Sequence, residues 1–245
     1  MDLSEGTSGN LRHPWEVARA RFFEDVLRRA HALRPTSRVL DVGAGDAFVS
    51  LSFLERARPL SVTAWDEAYS EEQLQSLSER GVTAVREPPD GPFDVVLVLD
   101  VLEHLDDEAP LLRAVNGVVA SEGHVLVSVP AWPSLMGPHD AQLRHRRRYT
   151  PALARQVLER AGLVIVDSGG LFHSLLAQRA FSMAMQNRLA VTSRHGLSWT
   201  RGKGLSAVMT ALLQMDTALS RGFSRAGFEV PGLSWWALCS RGTAT

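Results

Sequence analysis

The 245-residue sequence predicts an α/β protein built on a doubly wound, mainly parallel sheet. Two stretches carry that prediction. Residues 38–50, RVLDVGAGDAFVS, set a short apolar strand (Val39, Leu40, Val42) directly against a Gly43-Ala44-Gly45 turn, with Ala47, Phe48, Leu51 and Leu54 following at helical spacing. Residues 93–99, FDVVLVL, are the most continuous apolar run and read as a central strand buried on both faces.

The remaining elements follow in order. Residues 1–13 are polar and glycine-rich, and Pro14 stands just inside a helix carrying Trp15, Ala18, Phe22, Val26 and Leu33. A second strand at 60–65 ends in Asp66, 25 residues after Asp41, close to the spacing at which a second-strand carboxylate binds ribose hydroxyls in nucleotide-binding sheets. Ser70 caps a helix over 71–80 that Gly81 closes, and 82–85 form a third short strand. After the 93–99 strand, Asp106 or Asp107 begins a helix, and Gly123 ends its connection into a fifth strand at 124–130. Residues 130–150 form a long loop at the carboxyl end of that strand, where ligands bind in open α/β sheets, so His139, Asp140, His145 and Tyr149 are candidate substrate contacts. Thr150-Pro151 starts the next helix, Gly162 ends it, and 163–168 form a sixth strand. Two helices with one apolar face each, 171–191 and 204–223, precede a final strand at 233–240.

Composition bounds the function. A chain of this length holds one large domain with an insertion, and its net charge of -1 argues against a nucleic-acid partner. The single cysteine, Cys239, excludes an internal disulfide and a cysteine-built zinc site, and reads as a small buried residue. The N-terminus lacks the basic-then-apolar order of a secretory signal, so a cytoplasmic location is expected. Arg144, Arg146, Arg147 and Arg148 form the one dense basic cluster, either a reader of a substrate carboxylate or phosphate or a solvated surface run.

The Asp41-x-Gly43-x-Gly45 turn is not the dinucleotide fingerprint, whose third glycine is replaced by Ala47 or Phe48, and no lysine follows it as in a P-loop. It resembles the first motif of class I S-adenosylmethionine-dependent methyltransferases, in which the loop holds the methionine end of the cofactor. Asp100-Val101-Leu102-Glu103-His104 resembles the D/E-x-x-E-H segment after the fourth strand of many small-molecule members, including the ubiquinone-biosynthesis group. The resemblance implies a Rossmann-like sheet of seven strands, the last antiparallel between the fifth and sixth, with a helical insertion before it. Residues 1–170 would then be the cofactor-binding core with its N-terminal helix, 171–232 the insertion, and 233–245 the final strand of the core. It implies S-adenosylmethionine as cofactor, held by Asp41, Gly43, Gly45, Asp66 and Asp100, with Glu87 or Asp90 facing the adenine amine. Trp15, Arg19 and Arg21, on a helix that covers the cofactor in resembling enzymes, are candidate contacts to cofactor or substrate.

Methyl transfer from a sulfonium mainly requires a positioned acceptor, and a base only where the acceptor loses a proton. His104 and His145, with Glu103, are the candidate acid–base groups. The same letters also resemble metal-assisted methyltransferases acting on small RNA 3′ ends and ubiquinone precursors, which makes Asp100, Glu103, His104, His139 and His145 candidate ligands of a divalent cation. The expected activity is methylation of an O, N or C atom of a small, fairly hydrophobic metabolite of secondary or lipid-like metabolism. A non-methylating enzyme on the same fold, such as a cyclase or decarboxylase, is the alternative, beside a cofactor-holding partner without turnover. Residues 171–233 carry seven basic against two acidic side chains, and a lid or homodimer contact is expected of them ahead of peripheral contact with an anionic membrane.

Overall fold

The computed structural model describes residues 12–189, 203–225 and 228–242. The polar stretch ahead of Arg12 and the basic residues Arg194 and Arg201 lie outside them. The strands are β1 (Arg38–Val42), β2 (Ser61–Trp65), β3 (Thr83–Val85), β4 (Phe93–Leu99), β5 (Val119–Pro130), β6 (Leu163–Leu171) and β7 (Ser234–Arg241). They form one sheet in the order β3-β2-β1-β4-β5-β7-β6, parallel from β3 to β5, with β7 antiparallel to both of its neighbours. This is the Rossmann-like arrangement expected from the sequence, its antiparallel final strand included.

The apolar continuity of β4 has a direct cause. Val95, Leu97 and Leu99 join a core with Phe22, Phe53 and Trp236, whereas Phe93, Val96 and Val98 join a second core with Leu112, Leu158 and Trp235. Helices α1 (Pro14–Arg29), α2 (Phe48–Arg56) and α3 (Glu71–Glu79) cover the first face, and α4 (Ala109–Val118) and α6 (Pro151–Arg160) the second; a short α5 (Pro138–Gln142) lies in the loop after β5. Local chemistry sets the helix starts. Ser70 and Gln73 cap α3 reciprocally, each side chain accepting from the other's backbone N–H, and Thr150 Oγ1 accepts from Leu153 N ahead of α6.

Several boundaries differ from expectation: α1 ends at Arg29, short of Leu33, and α4 starts at Ala109, beyond Asp106 and Asp107. β5 begins at Val119, and Gly123 lies inside it, where the ladder with β4 steps from Phe93 opposite Val119 to Val95 opposite His124. A Cβ on Gly123 would lie 2.9 Å from the Phe93 carbonyl, so this glycine serves close strand approach rather than a loop end. β6 runs on through Gly169-Gly170 to Leu171 because β7 pairs with it to that point.

The insertion comprises α7 (His173–Leu189) and α8 (Lys203–Arg225). α8 packs on α1 and beside β6, burying Leu213, Thr217 and Ser220. Its base is pinned: Ser220 Oγ lies 2.8 Å from the Gly170 carbonyl and 2.5 Å from His173 Nε2, and His173 Nδ1 lies 2.6 Å from the Pro231 carbonyl. The returning chain crosses the end of β6 so closely that a Cβ on Gly232 would stand 2.2 Å from Leu171 N, with backbone on the other side of the contact. Gly232→Ala is therefore expected to lower the unfolding free energy by ~2 kcal/mol or more, because backbone must move. Gly117→Ala, where a Cβ on α4 meets nothing within 4 Å, should raise it by ~0.5–1 kcal/mol. Urea unfolding of both variants checks the pair, and equal effects would contradict the crossing.

Candidate active site

The glycine turn after β1 takes the backbone that its sequence permits. Gly43 and Gly45 have φ of +61° and +57°, and a Cβ on Gly43 would sit 2.8 Å from Val101 Cγ2, so the glycine lets the loop after β4 close against it. Ala47 adopts the same left-handed conformation, φ 55°, without glycine's freedom. Asp66 ties this turn to the end of β2: its Oδ2 accepts from Gly45 N at 3.0 Å and its Oδ1 from Ala68 N at 2.9 Å. Asp41 is buried at the end of β1 and accepts from the Ser50 hydroxyl. Burial pushes its carboxyl up to about 6, against the lowering pull of that hydrogen bond.

At the end of β4 the chain turns sharply through Asp100, φ 54°. Asp100 Oδ1 accepts from Ser128 Oγ at 2.9 Å, and its other oxygen pairs with Arg19, a buried guanidinium of α1 that also stacks 4.5 Å over the Trp15 ring. Arg12, ahead of α1, pairs with Asp46 and lies 4.5 Å over Phe48, both in the segment after the glycine turn. Thus α1 is tied to the loops after β1 and β4 alike, by Arg12 and Arg19. The sequence reading named Arg19 but passed over Arg12 and Asp46, which carry no motif.

A third group gathers beyond β4 and β5. Glu103 and His104 stand in a single 3-10 turn, Leu102–His104, and the loop after β5 returns to place His145 beside them. The imidazole rings of His104 and His145 lie 5.0 Å apart, edge to face, and His145 Nε2 is 3.9 Å from Glu103 Oε1. One ligand atom from each of Glu103, His104 and His145 lies within 4.8 Å of the other two. Glu103 has no exposed surface, and its carboxylate oxygens have no hydrogen-bond partner on another described residue; burial pushes the group up to about 7.

Asp140 holds His145 from the other side. This fully buried carboxylate is 3.0 Å from His145 Nδ1 and accepts from Arg148 Nε at 2.7 Å and Gly137 N at 2.9 Å. Burial by itself would raise Asp140, but the hydrogen bonds from His145 and Arg148 and the Arg148 charge outweigh it and hold the carboxyl down at about 2. The arginine cluster is committed elsewhere than to substrate. Arg146 pairs with Asp106, Arg147 with Glu108 and the Leu105 and Asp106 carbonyls, and Arg148 with Asp140 and the Ala131 carbonyl. Three of the four therefore staple the loop after β5 and its neighbours together, in place of the carboxylate or phosphate reader that the run suggested.

Several candidates stand apart from this group. Tyr149 has no exposed surface and donates its hydroxyl to the Leu102 carbonyl at 3.1 Å, and Asp140 is likewise buried, so both are held by groups of the protein itself. Asp100 is engaged by Arg19 and Ser128 and His139 is exposed, so neither belongs to the three-residue group. Glu87 and Asp90 are exposed beyond β3, and Trp15 is half-buried with its ring edge-on to Phe172.

A sheet of this order, with a glycine turn after β1 and carboxylates at the ends of β1, β2 and β4, defines a nucleotide-type ligand site at the strand ends of an α/β enzyme. Residues 15–168 match the family model described as a methyltransferase domain, and the chain belongs to that family, the class I S-adenosylmethionine-dependent methyltransferases. It is 28% identical over 171 residues to a ubiquinone biosynthesis O-methyltransferase of Aeromonas salmonicida, covering 58% of this chain and 69% of that one. A ubiquinone biosynthesis O-methyltransferase of Pseudomonas paraeruginosa is 36% identical over 101 residues, covering 37% and 43%. In fold the chain is similar to a SAM dependent methyltransferase from Archaeoglobus fulgidus (TM-score 0.52, 15% identity, 90% and 94% covered). It is similar also to a [4+2]-cyclase (TM-score 0.54, 16% identity, 92% and 81% covered).

The raised Asp41 makes a stability prediction whose sign is fixed. Its folded pKa of about 6 stands above the ordinary value of 3.8, so the native state keeps this proton longer and stability falls as pH rises from about 4 to 6. Asp41→Asn, which preserves an acceptor for Ser50, should remove that fall and gain ~2–3 kcal/mol above pH ~6 relative to the same variant's difference near pH ~4. Denaturant unfolding at several pH values checks it; a parallel pH dependence in both proteins would show that Asp41 is not the group responsible.

Proposed function

We propose that the chain transfers a methyl group to a hydroxyl oxygen of a small, fairly hydrophobic metabolite, with His145 as the base. The observation that carries this is the position of His145, its Nδ1 against the buried Asp140 carboxylate and its Nε2 directed toward Glu103. Bound S-adenosylmethionine supplies an electrophilic methyl on a sulfonium. Gly43 and Gly45, with Asp41, Asp66 and Asp100, are the residues assigned to hold it, and Arg19 offers the positive charge for its carboxylate. The buried guanidinium and the tight, left-handed glycine backbone fit such a ligand, which carries both a carboxylate and a ribose.

Asp140 accepts the Nδ1–H of His145, which leaves the Nε2 lone pair to take the acceptor's proton. The imidazolium that results is stabilised by Asp140. His104 packs its ring against that of His145 and restricts its rotation. The loop after β5 and the insertion are assigned to the acceptor side; Arg179 of α7 joins the two, reaching the Leu135 carbonyl at 3.4 Å and Asp140 at 3.8 Å. The curated relatives' names, both O-methyltransferases, agree with an oxygen acceptor.

A second reading rests on Glu103. A buried carboxylate without a hydrogen-bond partner beside two imidazoles is a donor set suited to Mg, Mn, Fe or Zn, and Glu103, His104 and His145 would hold the cation. Such an ion would polarise the acceptor oxygen and lower its pKa.

Calorimetric titration of S-adenosylmethionine is expected to show binding that Asp66→Ala loses. Absence of binding by the folded wild-type protein would remove the cofactor assignment. In turnover assays that follow S-adenosylhomocysteine and a product heavier by one CH2, His145→Ala should lower kcat by ~10²–10⁴ with cofactor affinity retained. Asp140→Asn should lower kcat and shift the pH profile. Full activity in a chelator supports the base alone; activity lost there and restored by a divalent cation supports the metal reading. Unchanged product mass would favour the cyclase alternative.

A further inference from the structure

α8 is built inside out. Of its side chains described between residues 204 and 223, every exposed one is glycine or apolar, and every polar one is buried or half-buried. Val208, Leu212, Met215, Leu219 and Phe223 are 56%, 53%, 66%, 59% and 43% exposed. Their spacing of three and four residues sets them on one stripe, ~22 Å long at 1.5 Å per residue. The polar residues are used within the protein: Ser220 bonds the Gly170 carbonyl, Thr217 the Gln214 carbonyl, and Asp216 accepts from the backbone and hydroxyl of Ser174.

From this face and the charge around it we infer that α8 docks flat on an anionic lipid surface. Three observations select that occupant. Residues 171–233 carry seven basic and two acidic side chains, in a chain whose net charge is -1. Both acids are paired within the protein, Asp216 with Ser174 and Glu229 with Arg155 and Trp235, and although Arg179 is spent on Asp140, the six other basic residues of that stretch keep the charge balance of the insertion positive. The five apolar side chains form one continuous stripe, and a lipid interface accepts such a face without the matching shape that a specific dimer needs. Among the described residues no helix is long and apolar enough to cross a membrane, so the contact is interfacial.

Co-sedimentation of the full chain with phosphatidylcholine vesicles, with and without phosphatidylglycerol, tests the inference. Binding is expected on the anionic vesicles, weakening as salt rises, with amides of α8 gaining protection from hydrogen exchange there in the wild-type protein. Leu212→Glu combined with Met215→Glu, at exposed positions that leave the melting temperature unchanged, should lower vesicle partition by on the order of tenfold or more. No binding, equal binding to both vesicle types, or binding indifferent to the double substitution would overturn the proposal. So would a dimer, seen by light scattering, that the same substitution dissociates, since a second copy would then cover the stripe.

Discussion

A guanidinium removed from water must be met by an opposite charge, and the loops that form the site owe their shape to two aspartates that supply it. Asp100, at the end of β4, collects Arg19 and Ser128; Asp140, beyond β5, collects Gly137 N, His145 and Arg148. The pairings of Asp100 join segments distant in sequence, and those of Asp140 close one loop upon itself. Arg19 brings the N-terminal helix onto the end of the central strand, and Arg148 folds the loop after β5 back so that His145 meets Glu103. Removing either aspartate would leave a buried cation without its partner, which costs more than the pair itself contributes.

Those pairings also explain which parts of the fold and site were legible in the sequence. Periodicity and turn chemistry are local, so the strand at 93–99, the Ser70 cap and the Gly43-Gly45 turn could be read from neighbouring letters, and their order specified the sheet. The resemblance of two short segments supplied the family and the placement of the antiparallel final strand. What failed depends on distance. Gly123 looked like a loop end because the Phe93 carbonyl it approaches is thirty residues away. The run from Arg144 to Arg148 read as either an anion reader or a solvated surface run because two of its acids, Asp106 and Glu108, stand on another segment. The resemblance proposed five ligands for one cation, and only the structure shows that three of them, Glu103, His104 and His145, gather while Asp100 pairs with Arg19.

Glu103 shows the opposite imbalance. It lies in the same interior as Asp140 yet lacks the donors that keep Asp140 ionised, so two carboxyls on either side of one imidazole are driven apart, one to about 2 and one to about 7. Neighbouring groups with separated proton affinities are a mark of acid–base sites, because one can hold a fixed charge while the other responds to the reaction. The fixed charge at Asp140 lies against His145, and the carboxylate oxygens of Glu103 keep a hydrogen-bonding capacity that no other described residue uses.

The orientation of α8 is not a by-product of core packing. A helix laid on α1 and β6 would ordinarily turn its leucines inward, and this sequence has enough of them to do so. Instead Thr217 and Ser220 occupy the buried side, each with a carbonyl within hydrogen-bonding reach, while Leu212, Met215 and Leu219 face outward. Burying hydroxyls is tolerable only because those acceptors exist, and exposing five large apolar side chains to water gives nothing back in an isolated chain. The exposed half of the pattern becomes favourable only when something covers the outer face. The basic excess of the insertion, with its two acids paired within the protein, makes an anionic lipid surface the cover that the charge balance fits.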